Sequence, residues 1–236
     1  MELYIRPDTA DVAVTAAQII ADHAQRSIDE RNRFTLAISG GRTPEKFLRT
    51  LTTFALPWTQ LHLFQVDERI APAGDPDRNL TLLQHTLLAG DPALPLQLHP
   101  MPVEQADPLQ ACTTYANQLR AITGEPPVLD LVQLGLGNDG HTASLLPGDN
   151  STLASTDLVT VSEQYQGRQR MTLTLPLLNQ ARCILWVVTG ADKNAMLSRL
   201  CRGDPSIPAG RIDTRNATIV ADAAAAKDLD PADYHP

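Results

Sequence analysis

The stretch LDLVQLGLGNDGHTASLLPG, residues 129–148, joins a mostly apolar run to a glycine-rich loop, and this pairing decides the fold class. Apolar runs that do not alternate with polar residues are typical of strands covered on both faces, as in parallel sheets. Other runs of this kind predict strands at residues 2–5, 34–38, 61–66, 183–189 and 217–220. The pattern therefore indicates a sheet with helices on both sides.

Helical segments lie between most of the predicted strands. Asp8 is a good N-cap residue, and after it apolar residues recur at helical spacing as far as Ile28. Further helices are predicted at residues 44–51, 78–88, 108–122 and 192–201, and the proline-rich segment 90–108 is interpreted as a long surface connection. This alternation predicts one α/β domain over residues 1–236, with a mainly parallel sheet flanked by helices.

Composition and charge exclude several classes of protein. The formal net charge is -8, and binding to a nucleic-acid backbone needs clustered Lys and Arg. No apolar run approaches the roughly 18 residues that span a bilayer, and the N-terminus has no signal-peptide pattern. Cys112, Cys183 and Cys201 lie far apart, which favours free thiols over a disulfide or zinc framework. We expect a cytoplasmic protein without nucleic-acid or membrane partners.

Function in such sheets is sought where the carboxyl ends of the strands meet. After the strand at residues 34–38 comes SGGRTP, in which two glycines allow close backbone approach, Thr43 can cap a helix and Pro44 fits its first position. Free N–H groups at such a helix start favour an anion. Residues Ser39, Gly40, Gly41, Arg42 and Thr43 are therefore candidate phosphate ligands, although an ordinary tight turn has the same signature.

Charged residues follow two more strands and precede a third. Asp67 and Arg69, in VDER, either pair and solvate the sheet rim or serve the substrate. In the second case Arg69 reaches an anionic group, and Asp67 orients a sugar hydroxyl or acts as a base. Arg170, before MTLTLP, and Lys193, after VVTGAD, are either surface charges or a clamp on a phosphate.

The glycines of the opening stretch match G-x-G-x-x-G, but a dinucleotide site is disfavoured. Asp139 lies inside the pattern and would repel a pyrophosphate, and the acidic residue at about the expected later spacing, Asp157, does not end a strand. His141, two residues after Asp139, stands where an imidazole can move protons. An inert loop histidine is the alternative.

Taken together, SGGRTP, VDER, GLGNDGHTASLLPG, RMTLTLP and TGADKNAML resemble the 6-phosphogluconolactonases, in the superfamily shared with glucosamine-6-phosphate isomerase/deaminases. The resemblance runs from about Phe34 to Ala226. It implies a modified Rossmann-like fold that binds sugar phosphate. The implied reaction is hydrolysis of 6-phosphoglucono-δ-lactone, the second step of the oxidative pentose phosphate pathway, with no metal or organic cofactor.

The resemblance also implies roles for the candidate residues. His141 would be the general base that activates water, and Asp139 would orient its imidazole. The 39–43 loop, Arg170 and Lys193 would hold the 6-phosphate, with Asp67 and Arg69 facing the sugar or the phosphate. Backbone N–H groups from Gly137 to Gly140 are candidate oxyanion donors.

Two rival functions remain. The isomerase/deaminase branch has a glutamate five residues after the histidine, where this chain has Leu146, and an apolar side chain cannot relay a proton. A non-catalytic sugar-phosphate-binding protein is the other rival, but a DNA-binding helix-turn-helix, usual in such regulators, has no room before the first strand. Arg78 stands where the lactonase pattern usually has a serine. Its side chain either contacts the substrate or is simply solvated. We expect a monomer, although the sequence leaves a small oligomer open.

Overall fold

The computed structural model describes residues 1–87 and 94–230, which contain ten strands and seven α-helices. The strands are β1 (Glu2–Arg6), β2 (Phe34–Ile38), β3 (Leu61–Gln65), β4 (Asp67–Arg69), β5 (Gln97–His99), β6 (Leu131–Leu134), β7 (Val159–Val161), β8 (Arg170–Leu173), β9 (Ile184–Val188) and β10 (Ala217–Asp222). The helices are α1 (Thr9–Arg31), α2 (Arg42–Leu51), α3 (Asn79–Leu87), α4 (Pro108–Thr123), α5 (Asn150–Leu153), α6 (Leu175–Asn179) and α7 (Asn194–Cys201). No helix in these two ranges is both long and apolar enough to cross a bilayer.

Seven strands form the main sheet in the order β1-β10-β9-β6-β2-β3-β5, and every neighbouring pair is parallel. The chain builds outward from β2 through β3 to β5 and then returns to the other side of β2 at β6. The strand order therefore reverses between β2 and β6. In open α/β sheets the crevice at such a reversal, beyond the carboxyl ends of the strands, is where ligands bind.

Both faces of the main sheet are buried at its central strands β2, β6, β9 and β10, which confirms the expectation from the apolar runs there, whereas the edge strand β1 is partly exposed. Leu36 of β2 and Leu185 of β9 face a core shared with α1, α2 and α3. Ala37 and Trp186, each the next residue along its strand, face a second core on the side of α4, α6 and α7. Successive strand residues point to opposite faces, so a strand in this position needs apolar residues throughout.

A small antiparallel sheet, in the order β4-β8-β7, adds to the main one. VDER was interpreted as polar residues that end a strand, whereas Asp67–Arg69 is itself a short strand. It pairs with β8 so that Arg69 stands opposite Arg170 and Asp67 stands opposite Thr172. Directly opposed residues of an antiparallel pair lie on the same face. The small sheet therefore places two guanidinium groups side by side.

The predicted helix at residues 9–28 is confirmed and extends to Arg31. The Asp8 carboxylate accepts hydrogen bonds from the N–H groups of Ala10 and Asp11, at 2.7 and 3.0 Å, and so satisfies two donors of the first turn.

The interpretation of residues 90–108 as a surface connection was wrong for its middle part. Gln97–His99 is the edge strand β5, paired in parallel with β3, and Met101 and Val103 are buried beyond it. A three-residue strand with a single neighbour carries almost no periodic signal, which explains the error. Residues 90–93 lie outside the described part of the chain.

Candidate active site

A cleft of about 690 Å³ opens where β2 and β6 end, at the reversal of strand order. It is lined by nine of the eleven predicted site residues, which come from five separate segments: Ser39, Gly40, Gly41, Asp67, Arg69, Asp139, His141, Arg170 and Lys193. Arg42 and Thr43 are the first two residues of α2, and their side chains lie outside the described residues.

The loop after β2 is held against neighbouring elements. Both the N–H and the hydroxyl of Ser39 bond to Gln133 of β6, with the hydroxyl donating to the backbone carbonyl at 3.2 Å. A Cβ on Gly40 would lie 1.8 Å from Oδ1 of Asn79, so only glycine fits there. The helix starts earlier than predicted: Gly41, with φ +113°, occupies the N-cap position in place of Thr43. This left-handed backbone conformation, which glycine adopts without strain, lets α2 begin two residues before Pro44.

The loop after β6 aims His141 at Asp139. Nδ1 of His141 lies 2.6 Å from Oδ1 of Asp139, and the backbone N–H of His141 donates to the same oxygen at 3.1 Å. Partial burial acts to raise the pKa of Asp139, but these hydrogen bonds and the nearby imidazole outweigh it and lower that pKa. Asp139 is therefore a carboxylate at neutral pH, and it fixes the proton of the neutral imidazole on Nδ1.

The glycines of this loop serve packing. A Cβ on Gly137 would lie 2.1 Å from Nδ1 of His141, and one on Gly140 would lie 2.7 Å from Ile207. The N–H of Gly137 donates to the carbonyl of His141 at 2.8 Å, and the N–H of Gly140 donates to the carbonyl of Gly137 at 3.0 Å. Because both N–H groups are engaged inside the loop, the prediction that they bind an oxyanion was wrong for these two glycines.

Arg69 and Arg170 form a cationic wall of the cleft. Burial first, and then the charge of Arg69, lowers the pKa of Arg170. The Nε of Arg170 is buried and has no hydrogen-bond partner among the described residues. Like charges placed directly opposite each other destabilise a sheet, and an unpaired buried donor adds to that cost. An anion in the cleft relieves the repulsion between the two guanidinium groups.

Asp67 is buried and lines the cleft beside this wall. Its Oδ2 accepts a hydrogen bond from the Ser144 hydroxyl at 2.6 Å, and its Oδ1 accepts one from the Asn79 amide at 3.2 Å. The side-chain carbonyl of Asn79 in turn accepts a hydrogen bond from the Arg69 guanidinium. Asn79 therefore ties the carboxylate to the guanidinium.

Lys193 lines the cleft from the end of β9, where it lies in the 3-10 turn Ala191–Lys193. Its Nζ donates to the side-chain oxygen of Asn138 and lies 3.5 Å from Asp192. Asn138 belongs to the same loop as His141, so Lys193 is linked to that loop.

Four residues at or beside the site, Asn79, Asn138, Ser144 and Tyr165, were not predicted from the sequence. The Tyr165 hydroxyl donates to Oδ2 of Asp139 at 3.3 Å, and its ring lies edge-on to the ring of His141.

Arg78, next to Asn79, is neither a substrate contact nor a solvated residue. It is 2 % exposed and pairs with Glu68 at 3.0 Å and with Glu104 at 2.9 Å.

Comparisons with known proteins agree with the resemblance. The family model described as glucosamine-6-phosphate isomerases/6-phosphogluconolactonase matches residues 7–221. A 6-phosphogluconolactonase of Synechocystis sp. is 38% identical over 179 residues, 74% of this chain and 74% of that protein. One of Nostoc sp. is 32% identical over 201 residues, 83% of each chain. The crystal structure of the Thermotoga maritima 6-phosphogluconolactonase has a TM-score of 0.82 at 24% identity, over 94% of this chain and 98% of that one, which shows the shared fold.

Proposed function

The chain belongs to the glucosamine-6-phosphate isomerase/6-phosphogluconolactonase family, and on that premise we propose that it hydrolyses 6-phosphoglucono-δ-lactone to 6-phosphogluconate. This is a step of the oxidative pentose phosphate pathway. The observation that carries the proposal is the combination, in one cleft, of a hydrogen-bonded Asp139–His141 pair with the cationic wall of Arg69 and Arg170. The pair suits water activation, and the wall suits a phosphate.

His141 is the general base. With its proton on Nδ1 held by Asp139, Nε2 carries the free lone pair. Nε2 takes a proton from water as the water oxygen forms a bond to C1 of the lactone. The tetrahedral intermediate then collapses with cleavage of the bond between C1 and the ring oxygen. The imidazolium returns its proton to that oxygen as the ring opens, and the new carboxylic acid ionises in solvent.

Asp139 stabilises the imidazolium that forms in the first step. General-base catalysis of this kind contributes typically about 10²–10⁴-fold, so the remaining acceleration comes from holding the lactone in place. A lactone is an activated ester, which makes this modest apparatus sufficient.

The 6-phosphate is held by the cationic wall and the loops beside it. Arg170 lines the cleft, and Arg69 stands opposite it across the two strands. The 39–43 loop brings the N-terminal end of α2 to the cleft, where the helix dipole favours an anion. Lys193 adds a third charge, and Asp67 accepts hydrogen bonds from sugar hydroxyls.

The isomerase/deaminase activity of the same family is disfavoured by Leu146. This residue stands five positions after His141, is buried and apolar, and cannot supply the carboxylate that opens an amino-sugar ring in that branch.

The proposal further takes the chain as one domain that acts as a cytoplasmic monomer. Both cores share the main sheet, which supports one domain. Three buried cysteines that form no disulfide support a reducing compartment. Size-exclusion chromatography with light scattering checks the oligomeric state.

The test compares two freshly prepared lactones, 6-phosphoglucono-δ-lactone and unphosphorylated glucono-δ-lactone, each corrected for spontaneous hydrolysis. We expect rapid turnover of the first and a kcat/KM at least about 10²-fold lower for the second, since each strong charge-assisted hydrogen bond contributes about 1.5–3 kcal/mol. Ammonia release from glucosamine 6-phosphate is measured in parallel. Binding of the phosphorylated lactone without hydrolysis would establish the non-catalytic alternative, and ammonia release would establish the deaminase.

A further inference from the structure

Tyr165 lies at the tip of the hairpin formed by β7 and β8. Its N–H donates to the carbonyl of Arg168 at 2.9 Å, and the two residues between them, Gln166 and Gly167, have φ values of +52° and +80°. Positive φ at both central residues is the mark of a type I′ turn, which matches the twist of a hairpin. Arg168 pairs with Asp75 at 3.0 Å and so fastens the tip to the loop after β4.

The Tyr165 side chain contacts both halves of the candidate site. Its hydroxyl donates to Oδ2 of Asp139 at 3.3 Å, while Oδ1 of the same carboxylate faces His141. The ring centroid lies 5.5 Å from that of His141, with the two planes at 64°. The guanidinium carbon of Arg170 lies over the ring face, 5.0 Å from its centroid.

We propose that Tyr165 is a positioning residue of the lactonase reaction, which holds Asp139 by its hydroxyl and the Arg170 guanidinium by its ring face. One side chain thus links the Asp139–His141 pair to the cationic wall. The inference rests on the proposed function, and the experiment below separates the failure of one from the failure of the other.

The hydroxyl acts on the base through the carboxylate. Partial burial and the charge of Asp139 raise the pKa of Tyr165, so its hydroxyl stays protonated and donates at neutral pH. A hydrogen bond to Oδ2 withdraws charge from the carboxylate, and this weakens its attraction for the imidazolium form of His141. Without the hydroxyl, the carboxylate stabilises the imidazolium more strongly, and His141 becomes protonated at a higher pH.

The ring face acts on substrate binding. Arg170 is 5 % exposed, and its Nη2 also donates to Oε1 of Gln166 at the hairpin tip, at 3.2 Å. A guanidinium that is stacked on an aromatic ring and hydrogen-bonded at one end has few orientations left, so less entropy is lost when it binds an anion.

Other charged groups line the same cleft as His141. They are Lys46, Asp67, Arg69, Arg170, Asp192 and Lys193. A Tyr165→Phe substitution leaves all of them in place, so a shift produced by this variant reports the hydroxyl.

The chain contains a matched control. Tyr4 repeats the arrangement of Tyr165 on β1: its hydroxyl donates to Glu2 at 3.2 Å, and the Arg6 guanidinium carbon lies 5.3 Å from its ring centroid. Tyr4→Phe therefore removes the same atom from the same kind of contact outside the cleft.

The first measurement is the titration of the His141 imidazole by NMR, together with the pH profile of kcat/KM. Loss of the hydrogen bond between Tyr165 and Asp139 should shift the titration of His141 by about half a pH unit. We therefore expect Tyr165→Phe to move the His141 titration and the acidic limb of the kcat/KM profile upward by about that amount. Tyr4→Phe leaves both unchanged, and KM at neutral pH is unchanged in both variants. A Tyr165→Phe profile that coincides with that of Tyr4→Phe would overturn the role of the hydroxyl.

The second variant, Tyr165→Leu, removes the ring. We expect KM for the phosphorylated lactone to rise by about three- to tenfold, the range of a cation–π contact, with KM for the unphosphorylated lactone unchanged. Equal increases for both lactones would refute the link to Arg170. Because the NMR titration needs no turnover, a wild-type protein without lactonase activity would refute the proposed function while the titration still reports the contact between Tyr165 and Asp139.

Discussion

Replacement of Gly137 by alanine should abolish most of the activity while the fold survives. The new Cβ would lie 2.1 Å from Nδ1 of His141, and an ordinary contact begins at 3.4 Å, so the ring has to move by about 1.3 Å. The hydrogen bond between His141 and Asp139, 2.6 Å long, has little room for such a movement. A displacement of about 1 Å at a reacting group costs on the order of 10²-fold in rate.

The same loop supplies the control. A Cβ on Gly135 meets no atom of residues 1–87 and 94–230 within 4 Å, so Gly135→Ala adds the same methyl group without touching the base. We expect Gly137→Ala to lower kcat/KM for 6-phosphoglucono-δ-lactone by about 10²-fold. Gly135→Ala stays close to the wild type. Since the His141 ring is half-buried and can turn into the cleft, the thermal midpoints of the two variants should lie within a few degrees of each other. A Gly137→Ala protein as active as Gly135→Ala would refute the reasoning, because the position of the imidazole would then be unimportant.

Three further predictions concern the phosphate, the buried charges and pH. Arg170→Met should raise KM for the phosphorylated lactone by about 10–100-fold and leave KM for the unphosphorylated lactone nearly unchanged; equal rises would place the phosphate elsewhere. Glu68→Ala should lower the free energy of unfolding in urea by about 3–5 kcal/mol, because it leaves the Arg78 guanidinium buried without its Glu68 partner; a loss below about 1 kcal/mol would contradict this. Burial, and then the nearby His62, lowers the pKa of His99 to about 4. Between pH 6.5 and 4 the His99 imidazole is therefore protonated in the unfolded chain but not in the folded one, so the free energy of unfolding decreases as the pH falls through that range. His99→Gln should flatten this dependence by about 1–2 kcal/mol after allowance for solvent screening, and urea midpoints at pH 7 and pH 4.5 measure it.

The main sheet was predictable because its strands are covered on both faces. Residues 34–38 and 183–189 have to be apolar along their length to meet two cores, and such runs are visible without any knowledge of the partners. The position of the cleft was also predictable, since the rule that ligands bind beyond the carboxyl ends of parallel strands needs only the order of strands and helices.

The unpredicted parts depend on contacts between distant segments. β5 is short and polar and is defined by its pairing with β3. The pairing of Arg69 with Arg170 joins strands a hundred residues apart and has no local signature. Tyr165 reaches Asp139 only because a tight turn at Gln166 and Gly167 folds the hairpin back, and this dipeptide between two short β-type runs was the one local signal available.

The central claim is that His141, held by Asp139, activates water against a phosphorylated lactone. The most direct measurement is the rate of 6-phosphoglucono-δ-lactone hydrolysis above the spontaneous rate, for the wild type and for His141→Ala at equal concentrations of folded protein. We expect fast wild-type turnover and a loss of about 10²–10⁴-fold in kcat for the variant, with KM nearly unchanged. An unaltered kcat in His141→Ala, or no wild-type acceleration over water, would contradict it.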